Sequence, residues 1–97
     1  MNQARSAVLD STAVPRFGVG VRFRYDQTRA AWVLLAPERM FVPDAQAVEV
    51  LKLVDGSRSL AAIVDSLAAR YAAPAEVIAA DVAALLQNLS EKGAIRW

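Results

Sequence analysis

Apolar residues change their spacing at Pro43, and this change limits the possible folds more than any other feature of the sequence. Before Pro43, apolar and polar residues alternate, most clearly over residues 18–25, and such a period of two is typical of a half-buried β-strand. After Pro43, apolar residues recur every three or four positions, as at Leu60, Ile63 and Val64, and this spacing is typical of an amphipathic helix. A chain that places its strands before its helices is predicted to have an α+β fold.

Turn and capping residues divide the two halves of the chain into six predicted elements. Asp44 and Ser59 are expected to cap the first two helices, and Pro74 suits the first turn of the third helix. Tight connections between the strands predict an antiparallel meander. This order predicts a winged helix-turn-helix-like fold, in which a three-stranded antiparallel sheet is followed by a three-helix bundle. The predicted strands cover residues 18–25, 31–36 and 39–42, and the predicted helices cover residues 44–54, 59–72 and 74–91.

The chain has 97 residues, which is enough for one domain with a modest core. Residues 1–14 are small and polar without a sustained period, so we expect a flexible N-terminal tail. Residues 15–97 are then expected to form a single domain, with Trp32 of the second strand in its core. The terminal Trp97 is compatible with a docked or a free position.

The chain contains no His and no Cys, and this excludes most kinds of active site. These absences remove the usual proton shuttle, the thiolate nucleophile and the common zinc ligands. Carboxylates are scattered, and no G-x-S-x-G or S-x-x-K spacing occurs. Asp26, Glu38 and Asp81 are candidate polar anchors, although each also suits a turn, a cap or a surface position. We predict a binding protein rather than an enzyme, with no catalytic residue, cofactor or metal.

The length of the apolar runs and the residues of the N-terminus indicate whether the chain is exported or contacts a membrane. No uninterrupted apolar stretch approaches the roughly 18–20 residues of a membrane span. The N-terminal residues show no export signal. We expect a cytoplasmic protein without a membrane partner.

A winged helix-turn-helix-like fold raises the alternative of nucleic-acid binding, in which the third helix would enter the major groove. The candidate recognition helix, residues 74–92, contains no Arg, and its single Lys lies at the end. Glu76, Asp81 and Glu91 would face the phosphate backbone and would oppose binding. We therefore expect no nucleic-acid partner.

Two other features suit a binding protein. The third strand, residues 39–42, is expected at a sheet edge, where unpaired backbone groups can accept an extended peptide. The third helix has small residues that would leave a shallow surface beside larger ones; these are Ala79, Ala80, Ala83 and Ala84. The alternatives are that the edge is short and covered, and that the alanines only pack helix against helix. A module that pairs with copies of itself is a further alternative.

Four runs of residues, at their particular separations, together resemble a known family. They are Gly20-Val-Arg-Phe-Arg-Tyr-Asp26, Trp32-Val-Leu-Leu-Ala-Pro-Glu-Arg39, Asp55-Gly56, and Asp81-Val82 with Leu85 and Leu89. The family they resemble is PqqD, of pyrroloquinoline quinone (PQQ) biosynthesis, and the resemblance covers about residues 14–96. The same fold recurs as a recognition element in pathways for ribosomally made, modified peptides (RiPPs).

The resemblance implies a function and a site beyond what the spacing of residues indicates. PqqD-like proteins bind the precursor peptide PqqA and present it to PqqE, a radical S-adenosylmethionine enzyme. The resemblance implies these partners here, for a chain that is a monomer or a weak homodimer. It also implies a groove in which the leader segment adds beside the third strand and lies against the third helix. The implied peptide-binding residues are Arg39, Met40, Phe41 and Val42 on the strand, and Ile78, Asp81, Val82 and Leu85 on the helix.

Overall fold

The computed structural model describes residues 9–97, which form a three-stranded sheet, three helices and a short second pair of strands. The order of sheet and helices confirms the predicted α+β class. The strands are β1 (Arg16–Phe17), β2 (Arg22–Asp26), β3 (Ala31–Ala36), β4 (Arg39–Phe41) and β5 (Ile95–Arg96). The helices are α1 (Ala45–Leu51), α2 (Leu60–Tyr71) and α3 (Ala75–Glu91).

Strand β3 is the centre of the larger sheet, with β2 and β4 antiparallel on its two sides. Its bounds coincide with the second predicted strand. Pro37 and Glu38 form the two-residue turn that leads into β4, and Glu38 has a φ of 62°. A positive φ at this position, after a proline, is typical of a type II turn. The meander therefore places β4 at one edge of the sheet.

Strand β2 is shorter than the predicted strand 18–25 because a turn occupies its first residues. The Val21 N–H donates to the Gly18 carbonyl oxygen at 3.1 Å, and Gly20 has a φ of 76°. Glycines adopt such turns at little steric cost. Val19, expected on the apolar face of the strand, is 82% exposed. Only Arg22–Asp26 pairs with β3.

The helices begin where the capping residues predict. The carboxylate of Asp44 accepts the Ala47 N–H at 2.8 Å, and the Ser59 hydroxyl accepts the Ala62 N–H at 3.1 Å. Helix α1 ends at Leu51, although the apolar spacing continues to Val54. In this last segment the N–H groups of Leu53 and Val54 bond to the carbonyls three residues earlier, so the backbone is tighter than an α-helix. Within residues 9–97, no helix is long and apolar enough to cross a membrane.

The core is built from all three helices, from the central strand β3 and from the C-terminal strand β5. Its largest buried side chains come from several elements, and they include Leu34, Leu51, Ile63, Leu86 and Ile95. These residues occupy the apolar positions of the predicted strands and helices, together with the short C-terminal strand. The helical spacing therefore identified most of the core.

Trp32 lies outside this core, so its prediction as a core residue is wrong. Its ring stacks on Phe23 with centroids 4.8 Å apart, and the Tyr25 ring meets it edge-on at 5.9 Å. The Lys52 ammonium lies 5.2 Å from the Trp32 ring centroid. Because Tyr25 is directly opposite Trp32 across β2 and β3, the aromatic side chains shield one another on one face of the sheet.

Residues 9–14 are held against the start of α2, in contrast to the flexible tail predicted for residues 1–14. The Leu60 N–H donates to the Ala13 carbonyl oxygen at 2.8 Å, and the Ala61 N–H donates to the Ser11 carbonyl oxygen at 3.0 Å. The first N–H groups of a helix lack acceptors within the helix, and the carbonyl oxygens of this segment supply those acceptors. Residues 1–8 of the predicted tail lie outside the described residues.

The C-terminal residues close the fold by pairing with the segment that precedes the sheet. In the β1–β5 pair, Arg16 lies opposite Arg96, and Phe17 lies opposite Ile95. Trp97 is partly buried and packs against the core, so it is docked rather than free. Two-residue strands carry too little pattern for a sequence to predict them.

Candidate peptide-binding site

Strand β4 has an open edge. Within the described part of the chain it pairs only with β3, through Leu34 opposite Phe41, Leu35 opposite Met40, and Ala36 opposite Arg39. Arg39 and Met40 are exposed, and Val42 just beyond the strand is 58% exposed. An edge of this kind presents unpaired backbone groups to a partner.

The geometry of the turn indicates which residue of β4 faces outward. A two-residue turn makes the flanking pair, Ala36 and Arg39, the first hydrogen-bonded pair of the hairpin. Hydrogen-bonded and non-hydrogen-bonded pairs then alternate along antiparallel strands. Phe41 therefore directs its N–H towards β3, and Met40 directs its N–H and carbonyl towards the open edge.

A groove with a volume of about 720 Å³ lies between α1, the end of α2 and the first half of α3. Buried apolar side chains form its floor, namely Ala47, Val50, Leu67 and Val82. Ile78 and Leu85 line it beside Val82 and are partly buried. The remaining lining residues are Asp44, Ala45, Gln46, Glu49, Arg70, Tyr71 and Asp81.

The α3 wall of the groove follows from helical spacing. Ile78, Asp81, Val82 and Leu85 stand at positions i, i+3, i+4 and i+7, so they share one face of the helix. Val82 is 2% exposed, whereas Asp81 is exposed on the same face. This wall therefore combines an apolar surface with one acidic side chain.

An ion pair connects α2 to α1 across one end of the groove. The Arg70 guanidinium lies 2.7 Å from the Glu49 carboxylate, and the Lys52 ammonium lies 3.4 Å from the other Glu49 oxygen. Although Glu49 Oε1 is buried without a hydrogen bond of good geometry, the short contact with Arg70 supplies its countercharge. Arg70 also lies over the ring of Tyr71, with the guanidinium carbon 5.7 Å from the ring centroid.

The eight residues implied by the resemblance fall into two groups. All four from the helix, Ile78, Asp81, Val82 and Leu85, line the groove. The four from residues 39–42 lie outside it, and the wall opposite α3 belongs to α1. Phe41 instead packs against the core, with the Lys92 ammonium 5.8 Å from its ring centroid. That these eight residues bind a peptide stays a prediction.

The strand edge and the groove are nonetheless adjacent along the chain. Val42 and Pro43 connect the end of β4 to Asp44, the first lining residue of the groove. Because Asp44 is only three positions after Phe41, the end of β4 lies within about 10 Å of a lining residue of the groove.

Several lining residues were not identified from the sequence. Glu49 and Gln46 occupy the polar positions of α1, and Arg70 and Tyr71 end α2. The sequence feature that could have indicated these lining residues is the adjacent Arg70-Tyr71 pair, a cation beside an aromatic ring. Because α1 and the end of α2 meet only through the tertiary fold, this signal could not be connected to the third helix.

The alanines of α3 do not line the groove, contrary to the shallow surface expected from them. Ala79 faces α2 and, with Leu60 and Val64, lines a smaller cavity of about 250 Å³. Ala80 and Ala84 are exposed. The alternative of plain helix packing therefore holds for Ala79.

Two of the candidate polar anchors, Asp26 and Glu38, lie at turns. The Asp26 carboxylate accepts the N–H groups of Thr28 and Arg29 at 2.9 and 3.2 Å. Glu38 occupies the turn between β3 and β4. Only Asp81 of these three lies in the groove. No three acidic side chains among residues 9–97 are grouped so that they could hold a metal ion.

Comparison with solved structures defines the class of protein. The solution NMR structure of the PqqD part of Methylobacterium extorquens PqqCD represents a stand-alone RiPP recognition element. It matches with a TM-score of 0.79 and 41% identity, covering 94% of this chain and 97% of that chain. The crystal structure of PqqD from Xanthomonas campestris matches with a TM-score of 0.54 and 40% identity, covering 88% and 94%. The chain thus has the fold of a RiPP recognition element.

Comparison of sequences identifies the family. The model of the family "Coenzyme PQQ synthesis protein D (PqqD)" matches residues 31–95. A relative from Bradyrhizobium diazoefficiens, called PqqA binding protein, is 56% identical over 72 residues, which are 74% of this chain and 70% of the relative. The chain therefore belongs to the PqqD family, as the resemblance implied. The relative's name describes binding, in agreement with the prediction of a binding protein rather than an enzyme.

Proposed function

We propose that this chain binds a PqqA precursor peptide and presents it to the radical S-adenosylmethionine enzyme PqqE in PQQ biosynthesis. The peptide pairs as an added strand with the open edge of β4 and continues into the groove between α1 and α3. Family membership and a relative called PqqA binding protein support the ligand. Pairing of a peptide with a sheet edge is a recurring mode of recognition.

One observation carries this proposal, namely the continuity from an unpaired strand edge to an apolar groove. The N–H and carbonyl of Met40 point outward and can form main-chain hydrogen bonds. Such bonds do not depend on the side chains of the peptide. The groove, with Val82 and Leu85 on one wall, supplies the surface on which apolar side chains of the peptide are selected. Affinity and selectivity thus come from two neighbouring parts of one site.

The contribution of such a chain to the reaction is positional. A leader held by this chain at the enzyme raises the effective concentration of the peptide's reactive segment and limits its orientations. The electron-transfer chemistry and S-adenosylmethionine belong to the partner. A cytoplasmic location and a monomer or weak homodimer are part of the same proposal.

Replacement of Met40 by Pro tests strand addition. Proline removes the outward N–H and is tolerated at edge strands, so the pairing with β3 is retained. We expect the dissociation constant for PqqA, measured by titration calorimetry, to rise about three- to tenfold, the effect of one lost hydrogen bond. The thermal unfolding midpoint of the variant reports whether the sheet is intact.

Met40→Leu is the matched control, because it keeps the N–H and nearly the same volume. Phe41→Pro is a contrasting variant, since its N–H points to β3 and its loss should destabilise the fold itself. If Met40→Pro binds PqqA as tightly as Met40→Leu does, the peptide does not pair with the β4 edge.

A further inference from the structure

We propose that the groove selects a peptide segment with a basic side chain, Lys or Arg, whose charged end lies between Asp44 and Asp81. This inference rests on the proposed function and names the chemistry of the ligand at that site. The charge of the groove lining and the apolar surface beside it support such a ligand.

The groove carries an excess of negative charge. Its lining contains the acids Asp44, Glu49 and Asp81 and the single base Arg70. Glu49 is compensated, because both Arg70 and Lys52 lie within ion-pair distance of it. With Lys52 counted beside the lining residues, three acids stand against two bases, which leaves a net charge of −1, and the acids without an ion pair are Asp44 and Asp81.

Neither of these two carboxylates has a cationic partner among residues 9–97. The Asp81 carboxylate forms no ion pair or hydrogen bond there, and Asp81 is exposed on the groove face of α3. Asp44 uses one carboxylate oxygen to cap α1, at 2.8 Å from the Ala47 nitrogen, and forms no ion pair. Asp44 caps the start of α1 and Asp81 belongs to α3, and both line the groove.

The surface between them suits the stem of a long basic side chain. Ala47, Val50 and Val82 form an apolar floor beside the two acids. Lys and Arg bury their aliphatic stems on such surfaces and keep the charged group at a polar rim. A neutral apolar side chain would use the floor alone, and an acidic one would be repelled by both walls.

The experiment compares Asp81→Asn and Asp44→Asn with the unmodified chain in binding PqqA. Each change removes one charge at constant size, and Asn at position 44 retains N-cap function. We expect each dissociation constant to rise about two- to fivefold, the range for partly exposed ion pairs. The difference from the unmodified chain should shrink as salt is raised.

A modified peptide identifies the partner of these acids. A PqqA peptide whose Lys and Arg residues are replaced by Gln should bind the unmodified chain less tightly. It should bind Asp81→Asn and Asp44→Asn as it binds the unmodified chain, since the pair is already absent. Asp65→Asn is the matched control, because Asp65 is an exposed acid of α2 outside the groove.

The outcomes separate this inference from the proposed function. Tight binding of PqqA with equal dissociation constants for Asp44→Asn, Asp81→Asn and Asp65→Asn overturns the basic-residue inference and leaves peptide binding intact. Equal losses for the PqqA and Gln-substituted peptides overturn it as well. Absence of PqqA binding by the unmodified chain overturns the proposed function, and this inference with it.

Discussion

Ala72 ends α2 in the left-handed region, with φ of 51° and ψ of 43°. Its N–H donates to the Ala68 carbonyl, so the residue terminates the helix in the manner usual for glycine. For a residue with a Cβ this conformation costs roughly 1–2 kcal/mol. The sequence Ala72-Ala73-Pro74 therefore ends the helix without the glycine that usually occupies the left-handed position.

Replacing Ala72 with Gly should stabilise the protein. We expect the free energy of unfolding to rise by about 0.5–1 kcal/mol, since the relief of strain exceeds the extra entropy of the unfolded chain. Urea unfolding followed by circular dichroism measures the change. Ala69→Gly, at an exposed position inside α2, should instead lower the free energy by about 1 kcal/mol. Equal destabilisation by both changes would contradict the assigned helix end.

The start of α2 depends on a second element, the segment of residues 9–14. Asp10 folds this segment into a turn, because its carboxylate accepts the Thr12 hydroxyl at 2.7 Å and the Thr12 N–H at 2.9 Å. These hydrogen bonds to Thr12, and a further one from Ala13, lower the pKa of Asp10 below its ordinary value. The turn presents the carbonyls of Ser11 and Ala13 to α2.

Acid should loosen this turn. A lowered pKa in the folded state means that the carboxylate stabilises the fold above the unfolded pKa of about 3.9, and that this contribution disappears as pH falls through the lower folded pKa. We expect the amide resonances of Leu60 and Ala61 to shift together with the titration of the Asp10 carboxyl. Asp10→Asn keeps the acceptor oxygen without the titration, so its resonances should not follow that transition. Identical pH profiles in both proteins would exclude Asp10 as the cause.

Most elements of this fold were predictable, and the exceptions have local physical causes. Strand 31–36 and the caps at Asp44 and Ser59 depend on neighbouring residues only, so the sequence contains them. Gly18 and Gly20 allow a turn in a segment whose alternating apolar residues would also fit a strand. The β1–β5 pair joins residues about 80 positions apart, and no local pattern indicates it.

At the scale of the whole molecule, an open strand edge raises the question of self-association. The β4 edge could pair with a second copy of the chain instead of a peptide. Arg39 is exposed on this short edge and Pro43 follows it closely, and both features disfavour pairing of edges. We therefore expect no stable pairing of two copies through this edge.

Light scattering across a concentration series tests this expectation. We expect the mass of a single chain at all but the highest concentrations, and an increase when PqqA and PqqE are added together. Met40→Pro should reduce that increase, because a peptide that binds less tightly recruits less of the complex. A tight dimer whose mass is unaffected by peptide and enzyme would support the self-association module instead.

The sequence by itself determined the α+β class, the order of the elements, most of the buried side chains and the shared face of Ile78, Asp81, Val82 and Leu85. Each of these depends on local spacing, caps or turns, which act over a few residues. Membership of the PqqD family was also recognisable from four short runs of residues.

Only the tertiary structure decided what stands opposite that face. An apolar stripe indicates that a helix surface is covered but does not name the covering element, because the hydrophobic effect has no direction. The expected wall was residues 39–42, and the observed wall is α1, with Arg70 and Tyr71 at the end of the groove. The same packing brought Asp44 and Asp81, more than thirty residues apart in the chain, to the lining of one groove.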